Sequence, residues 1–299
     1  MRLSRRDLVR LLGCAGAFGI LSKAGSARAA PQVPSCVVMD WGLAATVIAL
    51  GIVPKGVPAP IWYDRCVVEP SCPPGVTNVG LLFTPNFELV QALGPDLIVI
   101  PPGLAPARAL FERIAPVHAV SLYLPEADPY ARADAQTRLL AERLACGEAA
   151  SGLAAQAEAA LREARMGLRS YDGRPLLLMS LVDERHMSVL GRQSLFQSVI
   201  DRLGLVNAGA DLVPRGEMAI QGLEALQGLG DVHIIHIDPP NRRDIAAIAL
   251  ARPFWQALSP IRDGRFRRIP PVLGTAGLPA AIRFTHLLAQ ALAQGDRVG

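Results

Sequence analysis

The sequence predicts an α/β protein, two α/β lobes flanking a helical connector, and three observations carry that prediction. Leu97-Ile98-Val99-Ile100 is apolar on both faces, follows a helix-like stretch opening at Thr84-Pro85-Asn86, and stops at Pro101-Pro102-Gly103. A strand with no polar face fits a parallel sheet covered by helices on both sides. The same alternation resumes after Pro175 with Leu176-Leu177-Leu178-Met179. Between the two, residues 134–169 are an array of Ala, Leu, Glu and Arg in which Leu139, Leu140, Leu144, Leu153, Ala157 and Leu161 recur near helical spacing.

Taken in order, residues 36–39 read as an apolar strand ending at Asp40-Trp41, 43–50 as a helix, and 51–54 as the next strand. A loop holding Cys66 and Cys72 around Glu69-Pro70-Ser71 follows. Asn86 or Thr84 suits the cap of the next helix, Pro85 its first turn, and Gly94-Pro95 its end. After strand 97–100 come a helix over 107–113 and a strand over 117–122. Residues 134–169 hold one or two long helices, broken around Gly147 and Gly152. Strands are then expected at 176–179, 188–190 and 232–237, with helices at 194–203, 222–226, 244–251 and 279–293. The resulting division is a lobe over 30–133, a connector over 134–171 and a lobe over 172–299.

The 299 residues are 51% hydrophobic and 19% charged, enough for one large core or two smaller ones. The net charge of +4 is uneven, because residues 1–29 hold Arg2, Arg5, Arg6, Arg10, Lys23 and Arg28 against Asp7 alone. Beyond them acids and bases nearly cancel, which excludes a phosphate-tracking surface and a nucleic-acid partner. The basic start reads as an address. Ser4-Arg5-Arg6-Asp7-Leu8 resembles a twin-arginine export signal, and Ala27-Arg28-Ala29 is a small-x-small cleavage pattern. The apolar run over 11–21 is shorter than the ~20 residues that span a bilayer, so a periplasmic chain starting near Ala30 is expected. In that oxidising compartment Cys66 and Cys72, flanking a short turn-rich loop, are expected to pair, leaving Cys36 and Cys146 as small buried hydrophobes. His233 and His236 share one strand at odd spacing and face opposite sides, against a metal site. Ser180, Asp183 and His186 crowd together without a triad's order, and no nucleophile elbow or phosphate loop is present, so no enzyme is expected.

Several segments carry a family resemblance: Ala49-Leu50-Gly51-Ile52-Val53-Pro54, Glu69-Pro70, Pro85-Asn86-Phe87-Glu88-Leu89, Ile114-Ala115-Pro116, Arg174-Pro175-Leu176, Arg185-His186-Met187, Ser194-Leu195-Phe196-Gln197 and Gly264-Arg265-Phe266. In this order they resemble the periplasmic binding proteins of metal-chelate ABC importers, and among these the ferric-hydroxamate siderophore binders. The resemblance implies two lobes joined by a long rigid helix, a ligand cleft between them, a ferric siderophore as cargo and no cofactor. It also implies delivery to an inner-membrane ABC permease by a monomer.

The family lines its cleft with aromatic rings, and an arginine and a tyrosine hold the chelate oxygens. Here Trp41 is kept, the expected arginine is Leu82, and the expected tyrosine is Leu104. The aromatic positions elsewhere fall on Cys66, Gly216, Leu273 and Thr275. Arg65, Arg192 and Arg215, in loops expected to face the cleft, are candidates to supply the missing guanidinium, which gives charge-assisted hydrogen bonds to partly negative oxygens. Trp62, Tyr63 and Phe83 are candidates for the apolar wall. Glu224, and Glu112 as a substitute in the first lobe, match the acidic residues that dock such proteins on the permease. The expected function is capture of an iron(III)-siderophore complex. A corrinoid or haem carrier on the same fold is the alternative cargo, and an envelope hydrolase the alternative class.

Overall fold

The computed structural model describes residues 33–120, 128–213, 215–242 and 244–293. The export signal read at residues 1–29 lies outside the described residues, as does Pro214.

The first half runs β1 (Cys36–Val38), α1 (Trp41–Ala49), β2 (Gly56–Val57), α2 (Pro60–Cys66), β3 (Thr77–Asn78), α3 (Phe87–Leu93), β4 (Leu97–Ile100), α4 (Arg108–Glu112) and β5 (Val117–Ala119). Its strands form a five-stranded sheet in the order β3-β2-β1-β4-β5, with every pairing parallel. Two helices follow, α5 (Pro129–Arg143) and α6 (Gly147–Gly167). The second half runs β6 (Leu176–Leu181), β7 (His186–Leu190), α7 (Leu195–Leu203), β8 (Met218–Gly222), β9 (His233–Ile237), α8 (Ile245–Leu250), α9 (Pro253–Ala257), α10 (Ser259–Arg262), β10 (Phe266–Ile269) and α11 (Gly277–Ala293). Its sheet is mixed, in the order β10-β9-β6-β7-β8, because β6, β7 and β8 are joined antiparallel.

Of the caps, Asn86 and Gly94 of α3 are the ones expected from the sequence. Asp40, Asn86 and Ser194 each accept a hydrogen bond from the backbone N–H three residues on, and Gly94 and Gly204 end α3 and α7 in the left-handed region. Some elements differ from expectation. Residues 62–66 belong to helix α2, with Pro60 in its first turn, and the second strand lies at β2, after Pro54. The long helical array breaks at Leu144–Cys146, where Ala145 has φ 53°, while Gly152 sits within α6. β3, β8, α9 and α10 carry no signal strong enough to have been read.

Side-chain parity divides the core into three layers. On the outer face of the first sheet, Val37, Met39, Ile98 and Ile100 pack against Val90 and Phe111 of α3 and α4. On the outer face of the second, Leu177, Met179 and Ile234 pack against Ile245 and Trp255 of α8 and α9. The alternate residues, Cys36, Val38, Leu97 and Val99 of one sheet and Leu176, Leu178, Ile235 and Ile237 of the other, enter one shared core filled by α1, α5, α6, α7 and α11. The two sheets are thus bound to a common helical layer. Phe284 of α11 stacks on Phe196 of α7 with ring centroids 4.3 Å apart. Arg283 of α11 pairs with Glu69 of the first half at 2.8 Å.

Candidate functional site

In open α/β sheets ligands bind beyond the carboxyl ends of the strands, and here those ends from both sheets border one cleft. Trp41 opens α1 just after β1, and its indole N–H donates to the Pro58 carbonyl at 2.7 Å, fixing the ring across the end of β2. The tight turn after β3 begins at Gly80, whose φ of 104° and distance of 2.7 Å between an added Cβ and the Thr84 carbonyl leave room for no side chain. That turn presents Leu82 and Phe83. Trp41, Ala59, Trp62, Leu81, Leu82, Phe83 and Thr84 line a hollow of about 370 Å³. Phe83 is 74% exposed and Trp62 40% exposed, a concentration of bare aromatic surface of the kind that marks a ligand wall. The Arg65 guanidinium lies 5.0 Å above the Trp62 ring, stacked as a cation on its face.

The second sheet supplies the opposite wall. On β6 the inward parity of Leu176 and Leu178 continues to Ser180, but the helical layer ends before it. Ser180 pairs in register with Ser188 of β7, and Leu190 with Met218 of β8. These side chains, with Leu195, Phe196, Ile237, Pro239, Val272, Leu273, Thr275 and Cys66 from α2, enclose a cavity of about 290 Å³. Glu217 stands at its edge. Its loop is pinned by two hydrogen bonds, Gly216 N–H to Gln193 Oε1 at 2.9 Å and Gly191 N–H to the Glu217 carbonyl at 2.8 Å, and Gly216 takes φ 85°. Burial alone pushes the Glu217 carboxyl up to about 7. Asp238, also lining the cavity, is held by Arg268 at 2.9 and 3.0 Å and by His236 Nδ1 at 3.1 Å. The walls meet where Gly42, beside Trp41, packs on the Thr275 backbone so closely that an added Cβ would lie 2.1 Å from the carbonyl oxygen. A larger hollow, about 1040 Å³, lies away from the cleft between β10 and α11 and ends at Ala293, the last described residue.

The expected site residues divide. Trp41, Trp62 and Phe83 come together on the first wall, with Arg65 against Trp62. Tyr63 and Leu104 do not: Tyr63 is fully buried in the shared core with its hydroxyl on the Pro70 carbonyl, and Leu104 is 5% exposed and packed with Ile98, Ile100 and Phe111, because residues 102–107 form a 3-10 turn that rotates it into the core. The loop still serves the cleft, since an added Cβ on Gly103 would contact the Phe83 ring at 3.6 Å. Arg192 is exposed and paired with Asp211 at 2.5 Å, and Arg215 is exposed; neither is among the described residues lining the aromatic hollow or the second-lobe cavity. The expected Cys66–Cys72 bridge is absent, and both are free thiols. Cys66, on the last turn of α2, faces the cavity, whereas Cys72 packs on the shared core and its N–H is held by Asp64 at 2.7 Å. Burial raises the Cys66 thiol pKa, with Arg65 opposing it, and so keeps the thiol protonated.

Glu112 pairs with Arg108 at 2.7 Å, while Glu224 is exposed just after β8. Sequence reasoning missed Ser188 and Glu217. The parity break at Ser180 was the available signal, but β8, which closes the cavity, was not legible. Among the described residues no group of His, Cys, Asp and Glu is placed to hold a metal ion. His186 Nδ1 meets Asp183 at 2.9 Å in the exposed turn between β6 and β7, while Ser180 faces the cavity. No described helix is long and apolar enough to cross a membrane.

Two sheets bound to one helical layer, with an apolar cleft across their carboxyl ends, define a cleft-type solute-binding protein. The chain belongs to the periplasmic binding protein family, whose model matches residues 36–273. It is 33% identical over 291 residues to the iron(3+)-hydroxamate-binding protein FhuD of Escherichia coli (strain K12), covering 97% of each chain. Among solved structures, FhuD of Vibrio cholerae with bound Fe3+-Desferal superposes with a TM-score of 0.80 at 24% identity, over 87% of this chain and 98% of that one. FhuD2 of Staphylococcus aureus with bound ferrioxamine B gives 0.71 at 14% identity, over 88% and 100%.

Proposed function

We propose that this protein captures a ferric hydroxamate-type siderophore complex in the periplasm and delivers it to an inner-membrane ABC permease. The observation that carries the reading is the 33% identity to a hydroxamate-binding relative across 97% of both chains, and the hollow walled by Trp41, Trp62 and Phe83 supports it. Binding needs no covalent step and no turnover. Trp41, Trp62 and Phe83 desolvate the chelate, and Arg65, already over Trp62, is the guanidinium best placed to reach its oxygens. Export by the twin-arginine signal, action as a monomer, the division into lobes at 30–133 and 172–299 with a connector at 134–171, and docking through Glu224 and Glu112 belong to the same proposal.

The test is fluorescence titration with ferric hydroxamate, citrate-type and catecholate chelates. Trp41 and Trp62 border the cleft while Trp255 is buried in the second lobe, so a bound iron chelate quenches the first two most strongly. Saturable quenching by a hydroxamate chelate is expected, and its absence overturns the reading. A corrinoid or haem cargo and a hydrolase are not favoured by any feature of the cleft.

A further inference from the structure

The cavity in the second lobe has a chemistry that the chelate head does not explain. Its walls are apolar, from Leu190, Phe196, Met218, Ile237 and Leu273, yet acceptors are set into them. Ser188 is 5% exposed, and its hydroxyl has no hydrogen-bond partner although it borders the open space. A buried, unpaired hydroxyl is costly unless a partner arrives, so its position points to a ligand atom. Glu217 adds a carboxylate with apolar neighbours, and Asp238 a second whose charge is already engaged by Arg268. No lysine or arginine is among the described residues lining this cavity or the aromatic hollow beside it.

At about 290 Å³ the cavity falls at or below the usual lower end for a drug-sized ligand, so it takes part of a chelate rather than the whole. Resting on the ferric-chelate reading above, we propose that this cavity binds a protonated amine arm of the chelate, with Glu217 as its counter-ion, Ser188 accepting an ammonium hydrogen bond, and the apolar wall covering the arm's methylenes. The second-lobe cavity then selects by the charge of the arm: an ammonium is held there, and an anionic arm meets Glu217 with no lysine or arginine among the described residues lining the cavity.

The experiment compares a linear ferric trihydroxamate ending in a primary ammonium with the same chelate acetylated at that nitrogen. The iron head is identical in both, and tryptophan quenching reports each affinity. The ammonium form is expected to bind about tenfold tighter or more, the scale of one charge-assisted hydrogen bond in a desolvated site. Glu217→Gln brings the two affinities to within about threefold of each other, and Ser188→Ala narrows the gap in the same direction. Equal affinities in the unmodified protein, or a gap that survives Glu217→Gln, overturn the amine-arm assignment while leaving hydroxamate capture intact. Failure of both chelates to bind removes the functional reading itself, and this inference with it.

Discussion

Glu217 shows how a single side chain links site and stability. A carboxyl whose pKa is about 7 in the folded chain, against an ordinary value of 4.5, binds its proton more tightly folded than unfolded. Stability is therefore undiminished below about 4.5, falls as pH rises from there to about 7, and stays lower above. The other ionisable groups lining its cavity are Cys66, whose thiol is raised, and Asp238 with its partners Arg268 and His236. Glu217→Gln should consequently raise the melting temperature at pH 8 by the equivalent of about 1–3 kcal/mol and change it little at pH 5. A variant no more stable than its parent at pH 8 would show that the carboxylate is well solvated. Such a residue is hard to read from sequence, because Glu217 lies in a polar loop like many solvated glutamates. Trp41 was a candidate only through the family resemblance, which keeps a tryptophan at that position, and it lies on the wall of the first hollow. Leu104 was misread because alignment fixes a position along the chain, whereas the 3-10 turn at 102–107 fixes where its side chain points.

Elements were legible where local rules coincide with packing. β4 has no polar face and lies between helices, and α3 begins at Asn86 and ends at Gly94 as expected. The edge strands β3 and β8 were not, because two to five residues with mixed polarity carry little periodicity and are shaped by register with a neighbour. Two glycines test the helix reading in opposite directions. Gly152 is exposed within α6 and an added Cβ meets nothing within 4 Å, so Gly152→Ala should stabilise by about 0.5–1 kcal/mol through the unfolded chain, raising the melting point roughly 2 °C. Gly42 in α1 faces the Thr275 carbonyl, where a methyl would lie 2.1 Å from oxygen. Gly42→Ala should cost about 1–3 kcal/mol and weaken chelate binding as well, since Leu273 and Thr275 line the cavity it displaces. Calorimetry and titration of the two variants check both, and a neutral Gly42→Ala would mean that the α1 contact yields without moving the cleft.

At the scale of the molecule, a single core joins the two sheets, and no local pattern in the sequence announces it. The terminal helix α11 reads locally as part of the second lobe, yet it packs on α1, α5, α6 and α7, so no lobe boundary separates its contacts. One core implies one cooperative unit. Phe284→Ala, at a fully buried ring stacked on Phe196, should cost about 3–5 kcal/mol and lower the unfolding midpoint of both halves together. Far-ultraviolet dichroism and tryptophan emission should then still coincide, and separate transitions would argue against a shared core. The same layer restricts hinge closure, because rotating one sheet against the other must shear α6 and α11 across packed side chains. Delivery then depends on what each half presents at the surface rather than on a wide change of shape. Reversing the charge at Glu224 and Glu112 should sharply reduce chelate uptake into cells while leaving affinity in solution within about twofold, since neither lines the cleft and surface charge acts mainly on association between partners. Uptake at the parental rate would remove these two glutamates from the docking surface.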